Sequence, residues 1–126
     1  MRILIDTHIL IWHLEDDVQL SSYYGQLIED RSNTVFVSIV SFWEIAIKTS
    51  RGKLSLSKPI VDIVAQIERS TISILPINPR HTIQVSHLPF HHKDPFDRMI
   101  IAQALVDDLP VISSDRNFTN YGVELL

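Results

Sequence analysis

At 126 residues the chain is long enough to bury a hydrophobic core, and its 45% hydrophobic content argues against disorder. The absence of cysteine excludes disulfides and thiolate metal sites, and suits a reducing, cytoplasmic setting. A formal net charge of -4 weighs against a nucleic-acid partner when it is spread evenly, but a cluster of four acids would account for all of it.

The chain opens directly on a strand-like run with no apolar leader, and no stretch is long enough to span a bilayer, so no membrane role is expected. No repeat, low-complexity tract or linker interrupts it, which predicts a single domain over residues 1–126. Residues 2–6 read as a short buried strand ending on Asp6. Thr7 is placed to cap a short helix through Leu14, and a second helix is expected from Ser21 to Asp30. Thr34–Val37 reads as the next strand. Ser38 then caps a helix through Lys48 that Gly52 ends, and its apolar residues predict burial on most sides. Ser57-Lys58-Pro59 opens another helix, with Pro59 at its first position. Thr71–Ile77 is strand-like, and Asn78-Pro79 starts a short helix that ends before Pro89. Asp94-Pro95 begins the best-defined helix, with Asp94 as cap and Ile100, Ile101, Ala104 and Leu105 as its core stripe. Pro110–Ser114 is a strand, and Val123–Leu126 a short edge strand. This alternation predicts an α/β fold of three α/β/α layers around a mostly parallel sheet.

In such a fold, strand ends and the following helix starts share one rim, where open α/β sheets place their sites. Asp6, Glu44, Asp97 and Asp115 all fall there. Four carboxylates on one rim repel each other unless a cation lies between them. Glu44 is the most telling, because Phe42, Trp43, Ile45, Ala46 and Ile47 around it are apolar, and acids are rarely buried without a partner. Asp6 and Asp97 are the expected ligands. The alternatives are a plain helix cap for Asp6 and a charge favouring the helix dipole for Asp97. Asp94 reads as mainly structural, and Asp115, after Ser113-Ser114, as either a turn residue or an accessory acid. Thr7, Asp94, Arg98, Ser114 and Arg116 are the candidates for support or phosphate contact around the four.

Two other constellations weigh less. His87, His91, His92 and Asp94 suggest zinc, but Pro89 breaks the same-face helical spacing that a zinc site would use. Lys48, Arg51, Lys53 and Lys58 read as charges complementing a helix end about two turns from the acids, or as guides for a phosphate backbone. With three glycines there is no phosphate-cradling loop. Oxygen ligands favour Mg²⁺ or Mn²⁺, which activate water and offset charge on a phosphoryl oxygen. Metal-assisted phosphodiester hydrolysis is the chemistry these residues suit. In that reading Asp6 and Asp97 hold the ion, and Glu44 and Asp115 position metal-bound water or a second ion.

The segments Ile5–Trp12, Ser38–Lys48, His92–Ala104 and Ser114-Asp115 resemble, in order, the motifs of PIN-domain proteins, particularly the VapC-like toxins. The resemblance implies a Mg²⁺-dependent ribonuclease toxin of a type II toxin–antitoxin pair, with RNA as substrate. It also implies a small cognate antitoxin as partner, frequent homodimers, Asp6, Glu44 and Asp97 as core acids, and Asp115 as accessory. Two competing readings share strand-end acids. A receiver-like Mg²⁺-binding signalling module expects adjacent acids after the first strand and a lysine after a late one. A phosphohydrolase with Asp6 as nucleophile expects an acid where His8 stands. Neither pattern is met here.

Overall fold

The computed structural model describes residues 1–126. Four strands, β1 (Arg2–Ile5), β2 (Thr34–Ser38), β3 (Ser73–Leu75) and β4 (Val111–Ile112), form one sheet in the order β3-β2-β1-β4. Every pairing is parallel, with Ile5 opposite both Val37 and Ile112. The helices are α1 (Thr7–Leu14), α2 (Ser22–Glu29), α3 (Ile39–Ser50), α4 (Ile60–Glu68), α5 (Pro79–His87) and α6 (Pro95–Asp107). A 3₁₀ helix over Arg116–Tyr121 follows β4.

Because side chains alternate along a strand, β1 feeds two cores. Ile3 and Ile5 join Val35, Val37, Ile9, Leu10, Ile45, Ile63 and Ile67 on one face of the sheet. Leu4 joins Val111, Ile100, Ile101, Ala104, Phe118 and Tyr121 on the other. The three expected layers are thus present, and the sheet is wholly rather than mostly parallel.

The chain leaves β1 toward β2 on one side, and later crosses from β3 to β4 on the other side of β1. That reversal opens a crevice beyond the ends of β1 and β4, the place where such sheets bind ligands.

Several local expectations are corrected. Asp6, not Thr7, caps α1, its Oδ1 accepting from the Ile9 amide at 2.9 Å. Pro59 lies just before α4 rather than inside it. The strand expected over Thr71–Ile77 shrinks to three residues and that over Pro110–Ser114 to two. Val123–Leu126 contributes only an isolated bridge, Val111 to Leu125, and the turn after Asp115 is a 3₁₀ helix. The start of α3 agrees with expectation: Ser38 caps it, its hydroxyl accepting from the Val40 amide, and Gly52 adopts φ +70° just past its end. Helix α3 is more one-sided than its composition suggests, since Ile39 and Trp43 are exposed and Trp43 packs edge-on against Phe96.

Candidate metal centre

Asp6 closes β1 and is buried. Both of its oxygens have protein donors: Oδ1 takes the Ile9 amide, and Oδ2 takes the Ser113 hydroxyl. Ser113 follows β4, so this bond ties the ends of the two strands that flank the crevice. Burial pushes the Asp6 carboxyl above its ordinary pKa, and the nearby Glu44 adds to the shift, against the two hydrogen bonds and His8. Thr7 is buried beside it, and its hydroxyl meets that of Ser41 on α3 at 2.8 Å.

Glu44 projects from the second turn of α3 and is only 2% exposed. Its Oε2 pairs with Lys48, one turn further along, and its Oε1 has no hydrogen-bond partner. An ionisable oxygen shut away from water without a donor is costly, so a ligand for it is expected. Lys48 therefore lies one helical turn from the acids, not two. Burial opposes its charge, but Glu44, Asp94 and Asp97 offset this and hold its pKa above the lysine norm.

Asp97 occupies the first turn of α6. Asp94 caps that helix as expected, its Oδ1 accepting from the Phe96 and Asp97 amides at 2.8 and 3.4 Å. Asp97 is pushed up to about 7, first by burial, then by the charges of Asp94 and Glu44. The shift thus comes mainly from burial, with the neighbouring acids adding to it.

Asp115 caps the 3₁₀ helix, its Oδ1 accepting from the Asn117 amide at 2.9 Å. Its Oδ2 lies 2.7 Å from Nε2 of His92, and the same nitrogen is 3.1 Å from Oδ2 of Asp97. Ligand atoms of His92, Asp97 and Asp115 all lie within 4.8 Å of one another.

The sequence reading set His92 aside with its neighbours as a failed zinc motif. Its proximity to the acids depends on a non-helical loop, which helical spacing cannot reveal. His91 and His87 remain exposed and outside the cluster.

Arg98 corrects another expectation. It is buried, and its guanidinium donates to the carbonyls of Pro89 at 2.8 Å and Leu88 at 3.2 Å while stacking on Phe90. It thus holds the loop that carries His92 and is not available to a phosphate. Ser114 and Arg116 are exposed and line a cleft with Tyr24, Thr119 and Leu126 beside Ser113. Asp6 and Glu44 are buried, while Asp97 and Asp115 are partly exposed.

The donor set suits a hard divalent cation. Asp6, Glu44 and Asp97 supply only oxygen, Glu44 has an orphaned buried oxygen, and the charge repels itself without a counter-ion.

A family model described as PIN domain matches residues 3–124. The chain is 24% identical to Ribonuclease VapC22 of Mycobacterium tuberculosis over 120 residues, covering 94% of this chain and 91% of the relative. Among solved structures it is similar to VapBC2 from Rickettsia felis bound to a DNA fragment from their promoter, with a TM-score of 0.74 and 16% identity, covering 100% of this chain and 98% of that one. It is also similar to FitAcB from Neisseria gonorrhoeae, with a TM-score of 0.69 and 19% identity over 98% and 96% of the two chains. A third likeness is to Mycobacterium tuberculosis VapC20, described as a sarcin-ricin loop cleaving toxin, with a TM-score of 0.67 and 13% identity over 98% of each chain.

Proposed function

This chain belongs to the PIN-domain family, and from that membership we propose that it is a divalent-metal-dependent endoribonuclease acting as the toxin of a toxin–antitoxin pair. One observation carries the reading. Asp6, Glu44 and Asp97 lie close enough to feel one another's charge, His92 links Asp97 to Asp115, and Glu44 keeps a buried oxygen without a donor. Buried carboxylate oxygens without a donor are uncommon, and a cation is the partner that the surrounding acids suit.

In this reading Asp6 and Asp97 hold the ion, and Glu44 and Asp115 flank it. Mg²⁺ is the expected ion, with Mn²⁺ as a substitute. When bound, it supplies an acidified water and offsets charge on the scissile phosphate. The protein does the rest. The Ile9 amide and the Ser113 hydroxyl fix the orientation of Asp6. Lys48 neutralises one oxygen of Glu44 and leaves the other free. The α6 N-terminus favours the ionised form of Asp97 against its burial. Arg116 and Ser114 lie exposed beside Ser113, ready to meet a backbone phosphate.

The toxin role and a small antitoxin partner are inferred from relatives named as members of VapBC pairs, and a homodimer is part of the same inference. A signalling module that binds Mg²⁺ gains nothing from the structure, since Asp6 has no acidic neighbour in sequence and Lys48 pairs within α3.

The test is cleavage of total RNA by the purified protein with Mg²⁺ and with EDTA, beside Asp6→Asn and Asp97→Asn. Cleavage that requires the cation and is lost in both variants supports the reading. Cleavage that survives EDTA, or survives Asp6→Asn, overturns it.

A further inference from the structure

We propose that Trp43 and Phe96 form a stacking platform for an unpaired nucleobase of the RNA strand, beside the acids that take its phosphate. The inference rests on the reading above, in which the acid cluster holds a cation against the scissile phosphate.

The two rings reach the centre by the same device on different helices. Trp43 directly precedes Glu44 on α3, and Phe96 directly precedes Asp97 on α6. Consecutive Cα atoms lie about 3.8 Å apart, so each ring starts beside an acid of the centre. One helical step turns a side chain by about 100°, which separates ring from carboxylate. On α3 the step is decisive: Glu44 is 2% exposed and Trp43 is 59% exposed.

The rings then meet across the boundary between α3 and α6, edge to face, with centroids 5.1 Å apart and planes at 83°. Phe96 is itself anchored, since its amide donates to Asp94 at 2.8 Å. The indole is thus braced by a ring at the start of α6 while much of it stays open to solvent. A braced aromatic ring loses little conformational freedom when a ligand stacks on it.

Single apolar residues scattered on a surface need no explanation. Here two aromatic rings from separate helices are in contact, and each stands one residue from an acid of the centre. The carboxylates of Glu44 and Asp97 disfavour an acidic partner, and with a cation bound they favour a phosphate. A strand that seats a phosphate at the acids carries its neighbouring bases past the rings. A base is flat and uncharged, and aromatic side chains stack on such faces in single-strand recognition. Every base has a π-face, so the platform tolerates any sequence, but it requires a base freed from pairing.

The test uses a mixed-sequence, single-stranded oligoribonucleotide and a ribose-phosphate chain of equal length without bases, both with Mg²⁺. Trp12→Phe leaves Trp43 as the only tryptophan, so emission reports on the platform. The base-bearing strand is expected to quench that emission, and the abasic chain to leave it unchanged. In cleavage of total RNA, Trp43→Ala is expected to raise the apparent KM on the order of 10-fold with kcat within about threefold, as loss of one stacked base should. Trp43→Phe, which keeps a ring, is expected to stay within about threefold of the wild type in both. Thermal melts confirm that each variant folds, and sedimentation compares their oligomeric state with that of the wild type. Equal quenching by the abasic chain, or an unchanged KM in Trp43→Ala, would overturn the proposal. So would a dimer lost in Trp43→Ala, which would place a second copy of the chain on this face. Cleavage by the wild type without quenching sinks the platform and leaves the nuclease reading standing. Quenching without cleavage keeps the platform and sinks the nuclease reading.

Discussion

Two histidines in this molecule each hold aspartate oxygens, and their surroundings could hardly differ more. His81, wholly buried on α5, accepts the Asn78 amide on Nδ1 and meets Asp107 of α6 through Nε2 at 3.0 Å. Asn78 in turn accepts the His81 amide, which completes a reciprocal cap. One acid faces one ring, and every polar atom of that ring is satisfied. His92 uses the same chemistry, an amide on Nδ1 and carboxylate on Nε2, but two acids face its one proton and three more acids, Asp6, Glu44 and Asp94, stand close by. The first arrangement closes a seam between two helices. The second leaves charge uncompensated, which costs stability unless a ligand arrives. What separates the two histidines is the balance of donors and acids around each, not the ring itself.

The largest effect should come from the acid-rich side. Asp6→Asn or Asp97→Asn is expected to lower RNA cleavage by on the order of 100-fold or more, since metal-ion stabilisation contributes several kcal/mol at about 1.4 kcal/mol per tenfold. Initial rates on total RNA read this directly, and a loss under threefold would remove the distinction between the two regions. On the satisfied side, His81→Ala is expected to destabilise the fold by about 3 kcal/mol, because it leaves Asp107 without its donor and opens space in the seam. Urea unfolding checks it. The same variant should bind Mn²⁺ as the wild type does, so a metal defect there would break the comparison.

A third measurement sharpens the contrast through pH. Asp97 in the metal-free protein has its pKa raised to about 7 from 3.8. A raised carboxyl pKa means that the folded state keeps a proton the unfolded state has already lost. Stability from this group is therefore lost as pH rises from about 4 to about 7, and no more is lost above it. The melting temperature without metal should fall across that window, and Mg²⁺ should restore it above pH 7 by binding the ionised form. A flat profile without metal would mean that Asp97 carries no such strain. The smallest expected effect is at Ser113→Ala, which frees one oxygen of Asp6 and should weaken Mn²⁺ binding by about 10-fold with the fold intact.

Much of this was legible in the residue order, for reasons that can be named. Ser38 and Asp94 announce their helices because a short polar side chain before an apolar run has a specific amide to cap. Asp6 and Asp115 were expected near one rim because parallel topology puts strand ends there, and they follow the adjacent strands β1 and β4. What escaped depends on direction and on loops. Arg98 follows Asp97 in sequence, yet one helical step turns it by about 100°, away from the rim and into the carbonyls of Leu88 and Pro89. Trp43 stands beside Glu44 and is turned outward to solvent by the same rotation. His92 reaches the acids through a loop whose path is set by Arg98 and Tyr121, and neither periodicity nor spacing encodes that path. The short β3 and β4 were overestimated because apolar, β-branched runs continue past the point where a parallel neighbour exists to pair with.

The hydrogen bond from Ser113 to Asp6 joins residues 107 positions apart. During synthesis at about 5–20 residues per second, Asp6 emerges seconds before the segment that orients it. The acids of β1, α3 and α6 can all be present while β4 is still missing, and the crevice then has only one wall. A chain caught in mid-synthesis, or cut before β4, would carry Asp6, Glu44 and Asp97 without the assembled centre. Assembly of the centre around Asp6 therefore waits on β4.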